Sequence, residues 1–306
     1  MMRVSTVILE GKKLPRIILS IQPPTPFGHQ EILSLMKKLH EMGIWCFDLP
    51  SAKHLESFKE LKRLTEDETL LGLCHLDVEE GASFLGKPLH RFETKVVSTI
   101  KKNLFPPDLI KKLKTMGEWN DKHSFPIHSS SEVFTQKEID RITYDPIRFE
   151  KTLSLFYPEE SPFLLIGERY GDWLIALGRI DLLKGMVLKA REKGFIPIFS
   201  GQWATYVLPK AKPLDAAAYA IPINKNWSFF DLIQACDLIK KFDKPVISLN
   251  PLADGRLLGK PEEAFSFLFE GLKIYSAITE IASEEELKRI FDGVKRLPSL
   301  IPPRKR

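Results

Sequence analysis

Short runs of consecutive apolar residues alternate along the chain with longer segments that place an apolar residue every third or fourth position. The runs are typical of parallel strands buried on both faces, and the longer segments are typical of amphipathic helices. The alternation therefore predicts repeated strand–helix units around a parallel sheet. Eight strands are predicted: Arg16–Ile21, Ile44–Asp48, Thr69–His75, Phe163–Gly167, Ile196–Ser200, Ala216–Ile221, Pro245–Asn250 and Tyr275–Thr279.

Helices are predicted between these strands, and two of them end at glycines that directly precede a strand, Gly43 and Gly194. Glycine adopts the left-handed conformation that closes a helix, so the chain can turn back into the sheet there. Eight such units in 306 residues predict a (β/α)8 TIM barrel that occupies residues 1–306 as one α/β domain. The helices predicted on this pattern are Gln30–Met42, Ile180–Lys193, Asp231–Lys241 and Glu284–Val294.

Two segments fall outside this repeat. Residues 3–15 are β-like with a turn at Gly11-Lys12-Lys13, which predicts an amino-terminal hairpin that closes the bottom of the barrel. Residues 79–145 follow the third strand and are too long for an ordinary strand–helix loop. We expect this insertion to form a lid over the carboxyl ends of the strands, and a structural or oligomer-forming role is the alternative.

The insertion and the segment after it contain their own helix signals. Thr135 and Glu138 have the spacing of a capping box, and Asp145-Pro146 is a helix start with proline in the first turn. The helices predicted here are His90–Lys102, Pro107–Met116, Thr135–Ile142 and Ile147–Phe156.

Composition narrows the environment and the partners. The cysteines Cys46, Cys74 and Cys236 form no paired motif, and no segment reaches the roughly 20 apolar residues of a membrane span. We therefore expect a cytoplasmic protein that binds no membrane. The net charge is only +5, without a basic stripe, so no nucleic acid is expected either. Scarce Asn and Gln beside plentiful Lys and Glu are typical of a heat-adapted source. The expected partner is a small-molecule ligand, and a homo-oligomer stays open.

Polar side chains gather at the predicted carboxyl ends of the strands, which meet at one mouth in a barrel of this kind. Asp48, His75 and Glu168 offer a carboxylate–imidazole set for general acid/base catalysis. The same three residues, joined by Asp77, offer nitrogen and oxygen ligands to a divalent metal ion. A helix cap or a surface ion pair is the alternative role for a strand-end charge. Substrate contacts are expected from Arg169, Gln202, Asn224, Lys225 and Asn250.

Three passages carry a resemblance to a known family. Gly43–Asp48 (GIWCFD) ends a predicted strand in an aspartate. Pro245–Leu257 (PVISLNPLADGRL) is a strand followed by a proline- and glycine-containing loop, and Ala277-Ile278 precedes the helix start Ser283–Leu287. These passages resemble the second, seventh and eighth strands of the aldo-keto reductases. The resemblance implies a barrel with a bottom hairpin, carbonyl reduction as the activity and NADPH as the hydride donor.

The catalytic residues of the aldo-keto reductases are matched only in part. That family protonates a carbonyl with an Asp, Tyr, Lys and His tetrad, of which only Asp48 carries over. No tyrosine occurs in Ser51–Glu56, and His75 stands where the lysine ends the third strand. Glu168 stands near the position of the family's histidine. The proton donor of carbonyl reduction is therefore missing, and the three consecutive glutamates after the last strand disfavour the 2′-phosphate of NADPH.

Three functions remain open on the sequence. The first is an enzyme that acts on a small anionic or carbonyl-bearing molecule by acid/base or metal-assisted chemistry, with a divalent metal as the candidate cofactor. The second is an NAD(P)H-dependent oxidoreductase with an altered proton donor. The third is a barrel without catalysis that binds a ligand.

Overall fold

The structure, a computed structural model, describes residues 4–22, 28–104, 132–168, 170–228, 231–297 and 300. Its strands are β1 (Thr6–Leu9), β2 (Lys12–Pro15), β3 (Ile17–Ile21), β4 (Cys46–Leu49), β5 (Leu71–Leu76), β6 (Ala82–Phe84), β7 (Ile142–Tyr144), β8 (Phe163–Ile166), β9 (Ile196–Ser200), β10 (Ala218–Asn224), β11 (Trp227–Ser228), β12 (Val246–Leu249) and β13 (Ser276–Ile281). Its helices are α1 (His29–Glu41), α2 (Ala52–Thr65), α3 (Glu93–Leu104), α4 (Gln136–Ile139), α5 (Pro146–Leu153), α6 (Gly171–Ala176), α7 (Ile180–Glu192), α8 (Ala204–Ala211), α9 (Leu232–Lys241), α10 (Pro261–Ser266) and α11 (Glu284–Val294).

Eight parallel strands close into a barrel. They follow each other in the order β3, β4, β5, β8, β9, β10, β12 and β13, and the last strand pairs again with β3. These are the eight strands that the apolar runs predict, at nearly the predicted positions. The four main helices of the repeat also begin and end close to their predicted bounds. The (β/α)8 prediction is therefore confirmed.

Alternate residues of each barrel strand point inward and fill the barrel. Because the period of a strand is two, their neighbours point outward into the layer of helices. The inward side chains form one apolar cluster, which leaves a packed core rather than a channel. Its strand members are Ile18, Leu73, Phe163, Leu165, Ile196, Ile198, Ala218, Ala220, Ile247 and Ile278. A ligand can therefore reach the strands only at the ends of the barrel.

The bottom of the barrel is closed by the predicted hairpin. Strands β1 and β2 pair antiparallel, and Leu9 and Leu14 join the interior cluster from below. The turn lies at Glu10-Gly11, so the residues Lys12 and Lys13, which we placed in the turn, belong to β2. The hairpin leaves the carboxyl ends of the strands as the mouth.

The described part of the insertion packs beside the barrel, against the helices that follow β8. Strands β6 and β7 form a small antiparallel sheet, and Tyr144 Oη donates to the carbonyl of Gly185 in α7 at 3.4 Å. Arg179 Nη1 donates to the carbonyl of Ile139 at 2.9 Å. The rings of Phe84, Phe92 and Phe134 pack edge to face within this subdomain.

The insertion contains one wrong helix prediction and one open prediction. Helix α4 begins at Gln136 after the predicted Thr135–Glu138 capping box, but it ends at Ile139 because Ile142 pairs with Phe84 as part of β7. The predicted helix Pro107–Met116 lies outside the described residues. The lid therefore stays a prediction. None of the helices within the described ranges has the length and apolar character that a membrane crossing requires.

Candidate active site

Two neighbouring strands bring Asp48 and His75 together at the mouth. Their neighbours along the strands, Phe47 and Leu49 in β4 and Cys74 and Leu76 in β5, pack outward against the helices. Because side chains alternate along a strand, Asp48 and His75 point toward the barrel axis. His75 Nε2 lies 2.6 Å from Asp48 Oδ1, and His75 Nδ1 lies 2.8 Å from Glu168 Oε2 in the loop after β8. The structure thus joins the three predicted acid/base residues in one hydrogen-bonded arrangement, which we name the Asp48–His75–Glu168 chain.

The Asp48–His75–Glu168 chain runs from the protein interior to the solvent. The side chain of Asp48 is 2% exposed, that of His75 is 10% exposed, and that of Glu168 is 50% exposed. A molecule that enters the mouth therefore meets Glu168 first. The two inner residues are shielded from the solvent.

The two carboxylates keep the His75 ring in its charged form. Burial by itself lowers the pKa of His75, but the charge and hydrogen bond of Asp48, followed by those of Glu168, outweigh burial and raise the pKa to about 10. Both ring nitrogens face a carboxylate oxygen, so both carry a proton and donate it. At neutral pH the arrangement is a cationic ring between two anions.

Gly167 allows the chain to turn sharply from β8 into the loop that carries Glu168. Its φ angle is +107°, a region that residues with a side chain rarely adopt. A Cβ atom at this position would lie 2.7 Å from the carbonyl oxygen of Ser200 and 2.8 Å from the ring of Phe199. The close approach of this loop to the end of β9 therefore requires glycine.

His54 occupies the segment in which the aldo-keto reductases have their tyrosine, and it binds main-chain and side-chain groups at the start of α2 and the end of β3. Its Nε2 donates to the carbonyl oxygen of Ile21 at 2.7 Å, and its Nδ1 lies 2.7 Å from Ser51 Oγ. Burial lowers the pKa of His54 and so favours the neutral ring. The His54 ring therefore fixes α2 against β3.

Three residues that we expected at the substrate are engaged in loop structure. Asn224 Nδ2 donates to the carbonyl of Asn250 at 3.1 Å, and Asn250 Nδ2 donates to Asp254 Oδ1 at 2.9 Å. Lys225 forms an ion pair with Glu263. Because β10 continues to Asn224 and turns into β11, Asn224 and Lys225 belong to a hairpin, and Asn250 lies in the turn after β12. Contact with a substrate stays a prediction for them, and Arg169 lies outside the described residues.

Among the described members of the predicted substrate set, Gln202 contacts the Asp48–His75–Glu168 chain. It lies in the loop after β9, and its Nε2 donates to the main-chain carbonyl oxygen of Glu168 at 3.3 Å. In this position its side chain supports the loop that carries Glu168.

The predicted metal set is only partly assembled. Asp77 accepts a hydrogen bond from the main-chain N–H of Glu79 at 2.9 Å and so caps the short 3-10 helix Val78–Glu80. His75 can bind a metal only through a nitrogen without a proton, and both of its nitrogens donate to carboxylates. Within the described ranges, no three His, Cys, Asp or Glu side chains are placed to hold an ion. A divalent metal stays a prediction for binding measurements.

Residues that we did not single out as candidates also lie at this end of the barrel. Glu280 pairs in register with Ser20, which in turn pairs with Asp48, and it alternates with the inward Ile278. We missed it because we ended the last strand at Thr279, and a longer strand would have predicted it. Asp172, in the first turn of α6, is buried and has no counterpart among the predicted strand ends.

The start of α11 does not fit the 2′-phosphate that the resemblance to the aldo-keto reductases implies. Glu284 forms an ion pair with Lys38, Glu285 binds Arg289, and Glu286 accepts from the N–H of Ala282 at 2.7 Å. Three carboxylates in one helical turn repel a phosphate ester and already hold the nearby cations.

Comparisons with known proteins agree with the barrel. No protein-family model matches the chain, and no curated protein matches its sequence. An aldo-keto reductase from Bacillus halodurans superposes with a TM-score of 0.53 at 9% identity, over 97% of this chain and 92% of that one. A putative 2,5-diketo-D-gluconic acid reductase B gives 0.52 at 12% identity, over 94% and 85% of the two chains.

A thermostable aldo-keto reductase in complex with the inhibitor epalrestat gives a TM-score of 0.51 at 11% identity, over 96% of this chain and 94% of that one. At these identities the similarity extends to the fold and not to individual residues. The matched length includes most of both chains, as the three similar sequence passages imply. The protein therefore has the (β/α)8 barrel fold of the aldo-keto reductases.

Proposed function

We propose that this protein is an enzyme that catalyses proton transfer on a small molecule bound at the mouth of the barrel. The observation that carries the proposal is the Asp48–His75–Glu168 chain, which connects a buried carboxylate to a half-exposed one through a charged imidazole. Acid/base sites use such a series because the buried members fix the position and protonation of the exposed member.

Each residue of the series has a separate role. Asp48 orients the His75 ring and balances its charge. His75 donates its Nδ1–H to Glu168 and so holds that carboxylate in position. Glu168 takes a proton from the substrate and returns one to it, so the reaction is an isomerisation or epimerisation without exchange of electrons. A carbonyl compound suits this site because the hydrogen atoms next to a carbonyl are acidic enough for a carboxylate base such as Glu168 to remove.

The experiment that tests this proposal follows deuterium incorporation from D2O into a panel of ketones, 2-oxo acids, 2-hydroxy acids and sugars by NMR. We expect exchange with the wild-type protein in at least one compound. Glu168→Gln should slow it by about 10²- to 10⁴-fold, the usual contribution of a general acid/base group. A matched control is Glu79→Gln, because Glu79 Oε2 pairs with His90 Nδ1 at 2.9 Å in the insertion.

The possible results separate the hypotheses. Full exchange by Glu168→Gln would overturn the role of Glu168. Saturable binding of panel compounds, detected by a thermal shift, without any exchange would instead support a barrel that binds a ligand and does not catalyse.

A nicotinamide-dependent oxidoreductase with an altered proton donor is the second candidate. The observation that favours it is the match of nearly the whole chain to the barrels of aldo-keto reductases. In this hypothesis Glu168 or His75 replaces the missing tyrosine as the proton donor. Oxidation of NADH or NADPH in the presence of a panel ketone would support it, and a flat binding titration with both cofactors would remove it.

A further inference from the structure

We propose that Asp172 is a positioning residue that holds Glu168 against His75 by tying the loop after β8 to the loop after β9. The proposal deepens the proposed function because it concerns the same Glu168. Asp172 itself lies in the first turn of α6 and does not contact His75. Its action on the site is therefore indirect.

The side chain of Asp172 bridges the two loops. Its Oδ2 accepts hydrogen bonds from the main-chain N–H groups of Gln202 and Trp203, both at 2.9 Å. These groups belong to the loop that leads into α8, which begins at Ala204. Two bonds from adjacent N–H groups to one oxygen fix the distance between the loops.

A further hydrogen bond connects the loop after β9 to Glu168 in the loop after β8. Gln202 Nε2 donates to the carbonyl oxygen of Glu168 at 3.3 Å. The loop after β9 is in turn fixed to the barrel, because the N–H of Gly201 donates to the carbonyl of Ala220 in β10 at 3.0 Å. The position of Glu168 is thus set from β10 through Gln202, whose main chain Asp172 holds.

Burial distinguishes Asp172 from the aspartates that cap helices in this protein. Its residue is 4% exposed, and its Oδ1 has no hydrogen-bond partner in the described part of the chain. Burial raises the pKa of Asp172 to about 7, against the opposing effect of the two N–H groups. By contrast, Asp145 and Asp231 cap α5 and α9 from exposed positions. Among the described residues this carboxyl has only main-chain hydrogen-bond donors, and burying it costs stability, which a positioning role explains.

The test compares Asp172→Ala with Asp172→Asn, and Asp231→Asn serves as the control at an exposed cap. The first readout is the NMR signal of the His75 Nδ1–H proton, which needs no substrate. We expect Asp172→Ala to lose this signal while the Nε2–H signal toward Asp48 remains. Asp172→Asn should retain it, because the amide oxygen still accepts from Gln202 and Trp203.

The second readout is turnover in the exchange assay. Displacement of a reacting group by about 1 Å costs on the order of 10²-fold in rate, so Asp172→Ala should lower kcat by about that factor with little change in KM. If Asp172→Ala does not fold, Gln202→Ala tests the same connection, since it removes the bond to Glu168 and leaves the main-chain N–H groups. Gln202→Ala should then weaken the Nδ1–H signal.

Retention of the Nδ1–H signal and of full turnover in a folded Asp172→Ala protein would overturn the positioning role. The same conclusion follows if Gln202→Ala leaves the signal unchanged. The signal does not depend on turnover, so a protein that shows no exchange at all contradicts the proposed function without deciding the role of Asp172.

Discussion

Replacing Asp48 by asparagine is the most informative single change. It keeps the size of the side chain and one oxygen that can accept from His75 Nε2, and it removes the negative charge. At about 1.4 kcal/mol per pH unit, the rise of the His75 pKa from 6.5 to about 10 is on the order of 5 kcal/mol of preference for the charged ring. Asp48 is the largest favourable contributor to that rise, ahead of the half-exposed Glu168.

The expected result is a large loss of stability at neutral pH. A buried ion pair that loses one partner costs about 3–5 kcal/mol, and because asparagine retains the hydrogen bond we expect about 3 kcal/mol for Asp48→Asn. Urea denaturation at pH 7 measures this free energy of unfolding. Asp67→Asn is the control, because Asp67 pairs with His40 at 3.7 Å outside the mouth and is 27% exposed. It should cost at most about 1 kcal/mol.

The free energy of unfolding should also depend on pH, and the direction of that dependence differs between models of the site. Between pH 6.5 and about 10, His75 is protonated in the folded protein and neutral in the unfolded chain. The folded state then binds more protons, so this contribution is complete below pH 6.5 and is lost as pH rises toward 10. Asp48→Asn should remove most of the slope. Equal costs for the two variants, or equal pH slopes in wild type and Asp48→Asn, would refute the ion pair.

Three further predictions concern the frame of the site. Gly167→Ala should lower the free energy of unfolding by at least about 3 kcal/mol, because the new Cβ would clash with the backbone of Ser200. Gly255→Ala, with φ +82° and no atom near the new Cβ, should lower it by about 1 kcal/mol. Thermal unfolding of both variants checks this. Asp145→Ala removes the cap that accepts from the N–H groups of Ile147 and Arg148 and should cost about 1 kcal/mol in urea denaturation, and a cost near zero would contradict the capping role. Leu73→Ala in the barrel interior should cost about 2–5 kcal/mol by the same measurement, and a smaller cost would show a core that refills the cavity.

The barrel could be predicted because its strands are buried on both faces and its helices on one. Such burial leaves continuous apolar runs and helical spacing in the sequence, independent of what packs on them. The helix predicted over Thr135–Ile142 shows the limit. Its capping box is local and was correct, but its end is set by pairing of Ile142 with Phe84, which is distant in the chain.

The site could be predicted where it depends on strand ends alone. Asp48 and His75 end adjacent parallel strands, so their contact follows from the order of the strands. Asn224 and Lys225 were placed at a strand end in the same way, but β10 continues into a hairpin that engages them elsewhere. Asp172 gave no signal, because its partners are main-chain groups of another loop that only the folded chain brings near.

The charge state of His75 tests the central claim most directly. A pH titration of the wild-type protein, followed through the ring nitrogens by ¹⁵N NMR, reports which of the two nitrogens carries a proton. Our account predicts protons on both nitrogens at pH 7 to 9, with titration only near pH 10. A neutral ring that titrates near pH 6.5 would contradict it, because a neutral imidazole carries one N–H and could not donate to both Asp48 and Glu168.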